Sequence, residues 1–240
     1  MLFLTEHCKL IFLIILLIDI PLVAWYIRSL NKRKPYKVKK MVCSTLFVLA
    51  GALASLYGYF NSDFFIYPPG ILIALVLSWL GDLFLAFSLK GKWFIFGLGS
   101  FLLAHVAYVV AFSLGVLKFM PSWYEYIIVA VMLIACFIIK NKCDIKLGEM
   151  KIPVLFYAIT ISVMLARAIN IGITALLYAS EYGLTTCILM IFGALMFVAS
   201  DSVLVFIIFK NKSNSKTETA NLVTYYLAQF AFAASIFFII

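Results

Sequence analysis

Eight apolar runs, each near the ~20 residues a helix needs to cross a bilayer, follow one another with only short polar breaks. They lie at about 9–28, 41–60, 67–89, 93–116, 123–140, 152–178, 184–209 and 219–240. In hydrocarbon every backbone polar group must be satisfied internally, so runs of this length predict helices. The expected fold is an all-α, polytopic transmembrane bundle, with residues 1–240 as a single integral membrane domain. With 66% hydrophobic and 12% charged residues, the chain is far outside the range of a soluble globule or a disordered segment. The first run is too long for a signal-peptide core and lacks a basic start, so it is expected as a retained helix. Pro68, Pro69, Pro121 and Pro153 fall at helix starts, and Pro21 predicts a kink inside the first.

The formal charge of +9 does not indicate a nucleic-acid partner, because the basic residues cluster in the breaks between apolar runs. Sixteen of the nineteen fall in, or at the leading edge of, the breaks after runs one, three, five and seven. Only Lys9 and Lys118 fall on the opposite side, and Arg167 lies within a run. This asymmetry places the loaded breaks in the cytoplasm and both termini outside it. Five scattered cysteines without a C-x-x-C pair, and two histidines, suggest neither a metal centre nor a disulfide framework.

Polar residues inside the runs then become the functional candidates. Asp19, Asp82, Arg167 and Asp201 are charged; His105, Tyr108, Asn170, Tyr225, Tyr226 and Gln229 are neutral. Asp82 precedes Lys90 by roughly 12 Å of helix rise and Asp201 precedes Lys210 by roughly 14 Å, on helices running the same way. The flanks Gly81-Asp82-Leu83 and Ser200-Asp201-Ser202-Val203-Leu204 raise a parallel internal repeat. Two carboxylates converging in a low-dielectric site resist ionising together, which suits acid–base chemistry. The same pair also suits proton-coupled transport, or separate hydrogen-bonded ties between helices. Tyr157, Thr160, Met164, Arg167 and Asn170 form a stripe on helix six. Arg167 could hold a phosphate or pair with Asp19 or Glu181. Asp19, beside Pro21, reads as structural, and Trp25, Trp93, Trp123, Tyr124 and Tyr126 read as interfacial belts.

Several motifs occur together in a specific order. Ser78-Trp79-Leu80-Gly81-Asp82-Leu83-Phe84-Leu85 is followed by Phe101-Leu102-Leu103-Ala104-His105-Val106-Ala107-Tyr108. Then come Pro153-Val154-Leu155-Phe156-Tyr157, Met164-Leu165-Ala166-Arg167-Ala168, and Gly193-Ala194-Leu195-Met196-Phe197-Val198-Ala199-Ser200-Asp201-Ser202. Thr224-Tyr225-Tyr226-Leu227-Ala228-Gln229 closes the series. From about Lys40 to the C-terminus the chain resembles the YhhN-like lysoplasmalogenase family of eight-helix membrane hydrolases. A basic residue followed by Pro commonly opens helix two in that family. Here Lys40 is followed by Met41, and only the lysine carries over.

The resemblance implies hydrolysis of the vinyl ether bond of lysoplasmalogens to a fatty aldehyde and glycerophosphocholine or glycerophosphoethanolamine. It maps the family's two functional aspartates onto Asp82 and Asp201. Lys40 and Arg167 become head-group candidates; His105, Tyr108, Tyr157, Asn170, Tyr225, Tyr226 and Gln229 become candidates for positioning substrate and water. Neither a metal nor a cofactor is expected, and the partner is a lysophospholipid drawn from the bilayer. The compact loops fit a bacterial plasma membrane.

Overall fold

The computed structural model describes residues 2–115, 121–178, 183–210 and 212–239. Lys118 and Glu181 lie outside the described residues. Eight α-helices follow in chain order: α1 (Leu2–Asn31), α2 (Lys37–Asn61), α3 (Tyr67–Phe87), α4 (Gly91–Gly115), α5 (Trp123–Lys142), α6 (Lys151–Tyr178), α7 (Leu184–Phe209) and α8 (Ser215–Ser235). All eight are long and apolar enough to cross a membrane. There is no strand among the described residues.

Local chemistry sets the helix ends. Asn214 accepts from the backbone N–H groups of Lys216 and Thr217, at 2.9 and 3.0 Å, and Thr217 Oγ1 accepts in return from the Asn214 N–H. That reciprocal cap starts α8 four residues earlier than the hydropathy suggested. Glu125 accepts from the Ser122 N–H at 3.0 Å and starts α5 in the same manner. Pro68 occupies the first turn of α3, where its missing N–H costs no helical bond. α1 continues through Pro21 as one helix.

Small residues bring helices close where the polar side chains lie. A Cβ on Gly81 would meet the Phe101 ring at 2.6 Å, and one on Gly193 would meet Phe232 at 2.8 Å. These approaches join α3 to α4 and α7 to α8, the two most extensively packed pairs.

The packing repeats after a shift of four helices. α2 lies on α3 as α6 lies on α7, and α2 lies on α8 as α6 lies on α4. The pattern breaks at one place. α1 packs on both α2 and α8, with Phe12 edge-on to Phe230 of α8 and to Phe237 just beyond its end. α5 packs extensively on α6 alone, and Glu125 is its one buried residue. The space that α1 fills in the first half is left open in the second. There a cavity of ≈ 510 Å³ lies among α4, α5, α6 and α7.

Candidate active site

Asp201, on α7, lines this cavity. Tyr157 of α6 donates its hydroxyl to Asp201 Oδ2, and His105 Nε2 of α4 lies 3.4 Å from the same oxygen and 3.1 Å from the Tyr157 hydroxyl. A carboxylate only accepts, so neutral His105 carries its proton on Nε2 when it bonds Asp201. Nδ1 is buried without a hydrogen-bond partner. Both hydrogen bonds described for Asp201 end on Oδ2, and its side chain is 15% exposed. Oδ1 has no hydrogen bond or ion pair among the described residues. The surrounding walls are apolar, with Leu98, Phe101, Met132, Ile161, Val198 and Val205 among them.

Asp82 is held in the opposite way. Lys40 Nζ lies 3.0 Å from Oδ1, and Ser44 Oγ and the Tyr225 hydroxyl donate to Oδ2 at 2.6 and 2.7 Å. Tyr226 completes the cluster through Ser44 at 3.3 Å and the Lys40 carbonyl at 3.4 Å. Asp82 is 3% exposed, both its oxygens are committed, and it does not line the cavity. A buried charge is tolerated only with such a set of partners.

The two clusters obey the same fourfold shift. Asp82 draws partners from α2 and α8, and Asp201 from α6 and α4. No hydrogen bond, ion pair or shared polar partner joins the carboxylates among the described residues. Aromatic rings separate them instead. Phe197 stands with its centroid 4.6 Å from His105 and 5.6 Å from Tyr225, and Phe101 lies 5.9 Å from Tyr225.

The remaining candidates form two further groups. The Tyr108 hydroxyl donates to Gln229 Oε1 at 2.8 Å, tying α4 to α8. Arg167 Nε lies 3.3 Å from Glu125 Oε2, and Asn170 donates to Glu125 Oε1 while accepting from Tyr124 and from Ser122. The partner of Arg167 is therefore Glu125, which the sequence reading did not include, although Ser122-x-x-Glu125 is a legible capping box. The stripe on α6 divides: Tyr157 serves Asp201, and ten and thirteen residues further on Arg167 and Asn170 fasten α5. Asp19 is 2% exposed, and its Oδ1 is buried without a hydrogen-bond partner. Trp25, Trp123 and Tyr126 are exposed, as interfacial aromatics should be, whereas the Tyr124 hydroxyl is spent on Asn170. Ser44 was also missed; its signal was the i, i+4 spacing from Lys40.

Fold and site together define a polytopic helical membrane protein with a carboxylate opening on an apolar cavity inside the bundle. The chain belongs to the YhhN family, whose model matches residues 36–236. That span begins at the end of the α1–α2 connection, so α1 lies outside the match. Neither the curated proteins nor the solved structures contain a match.

Proposed function

We propose that this protein is a lysoplasmalogenase, hydrolysing the vinyl ether bond of a single-chain ether phospholipid taken from the bilayer. One observation carries the reading: Asp201, whose two described hydrogen bonds both end on Oδ2, lines an apolar cavity among α4, α5, α6 and α7. Liquid water occupies ~30 Å³ per molecule, close to a methylene's share, so ≈ 510 Å³ takes roughly seventeen such groups. That is one ordinary fatty chain.

The chemistry requires few groups. In its neutral form Asp201 carries a proton on Oδ1 and delivers it to the β-carbon of the vinyl ether, the C=C electron pair forming the new C–H bond. The resulting oxocarbenium ion faces the Asp201 carboxylate, which stabilises it in a low-dielectric setting. Water adds to the α-carbon and returns a proton to Asp201, and the hemiacetal collapses to aldehyde and glycerol hydroxyl. Tyr157 and His105 hold Oδ2 so that Oδ1 stays aimed at the substrate. Asp82, neutralised by Lys40, acts from behind the Phe101 and Phe197 wall by fixing Tyr225 against it.

The test is fatty aldehyde release from a lysoplasmalogen by purified protein, with an ester lysophospholipid of equal chain length as control. Release by the native protein and a loss of about 10³-fold in Asp201→Asn supports the reading. A folded native protein that makes no aldehyde overturns it. Proton-driven lipid flux without product would then favour a transporter.

A further inference from the structure

The cavity that meets Asp201 ends, at the basic end of the bundle, between the last turn of α5 and the first turn of α6. Lys140 and Lys151 both line it there. Two neighbouring cations are engaged elsewhere. Lys146 lies 3.9 Å from Asp144 Oδ2, and Lys210 donates to the Asp144 carbonyl at 3.2 Å. Lys140 reaches only the neutral Asn141 Oδ1, at 3.2 Å, and among the described residues neither Lys140 nor Lys151 has an ion-pair partner. Lys40 and Arg167, the cations that sequence pointed to, are bound to Asp82 and Glu125 and line no part of the cavity.

We propose that Lys140 and Lys151 form the head-group site for the phosphate of a single-chain phospholipid, which enters sideways past α5 with its chain along the cavity. The occupant is set by charge and shape together. Two unpaired ammonium groups at the rim of an apolar slot match an anionic phosphate on one fatty chain. A free fatty acid would instead place its charge without the glycerol spacer that lets the ether bond reach Asp201 below the rim. The weak packing of α5, on α6 alone, leaves the side entrance this requires. This assignment rests on the reading that the cavity takes lipid, and not on the hydrolytic step.

Binding can be read without turnover, because Cys136 is exposed and lines the same cavity. The full-length protein carrying Cys143→Ser is alkylated with N-ethylmaleimide in the presence of an alkyl-ether lysophosphocholine, which has no vinyl bond, or of the alkylglycerol lacking phosphate. The phospholipid should protect Cys136 at about tenfold lower concentration than the alkylglycerol. Lys140→Gln/Lys151→Gln should erase that difference while the alkylglycerol still protects, which shows the cavity intact. Lys140→Arg/Lys151→Arg should restore it. Equal protection by the two lipids, an undiminished preference in the glutamine variant, or no protection by either lipid overturns the assignment. Protection without aldehyde release from a vinyl ether would leave the head-group site standing and overturn only the reaction.

Discussion

Lys40 and Asp82 form an ion pair at 3.0 Å with side chains only 11% and 5% exposed, so one chain position on α2 is locked to one on α3 in a setting that cannot solvate either alone. Removing one partner of such a pair leaves an uncompensated buried charge, at a cost of about 3–5 kcal/mol. Lys40→Met and Asp82→Leu should each lower the thermal unfolding midpoint in detergent markedly. The double variant should recover most of the loss, as the additive sum would not.

Asp201→Asn should behave differently. The amide oxygen still accepts from Tyr157, and the side chain faces a cavity, so the midpoint should move by less than a change at Asp82 moves it. Aldehyde release should nevertheless fall about 10³-fold. An Asp201→Asn protein with native turnover would place the reacting acid elsewhere.

Tyr157→Phe removes the hydroxyl that holds Oδ2 and leaves the ring in place. Turnover should fall about 10–100-fold with KM little changed, the pattern of a group that positions the acid and leaves substrate binding alone. His105→Gln, at 3.4 Å and with weaker geometry, should cost less. Steady-state kinetics on the two variants decides the order.

At the other end of the bundle, Glu125 carries the cap of α5 and the only ion pair described for Arg167. Glu125→Gln should destabilise by about 3 kcal/mol, since buried Arg167 then lacks its counter-charge. Because α5 packs mainly on α6, limited proteolysis should show the damage first in the connections flanking α5. Uniform protection of those connections would show that α5 is held by other contacts.

Gly81→Ala tests the close approach of α3 and α4. The new methyl would lie 2.6 Å from the Phe101 ring, which cannot retreat without entering the cavity or the Tyr225 contact. A loss of about 1–3 kcal/mol is expected. Phe101→Leu in the same chain should return part of it, measured by the unfolding midpoint.

Sequence alone determined the number of helices, their approximate limits and the short list of polar groups inside them. Those properties are local: a run of about twenty apolar residues has no other stable form in hydrocarbon, and a charge within it is costly wherever it points. The same list did not say which groups meet. Arg167 was read toward Asp19 or Glu181, yet Glu125 holds it. A matching depth of Asp82 and Asp201 on helices running the same way says nothing of the lateral distance between them. The rings of Phe101 and Phe197 between their clusters come from α4 and α7. Tertiary structure alone also decided that α5 stands off where α1 packs, opening the cavity beside Asp201 while Asp82 stays sealed. That difference arises from contacts between residues far apart in the chain, from Ser44–Asp82 to Phe12–Phe230, which no local pattern encodes.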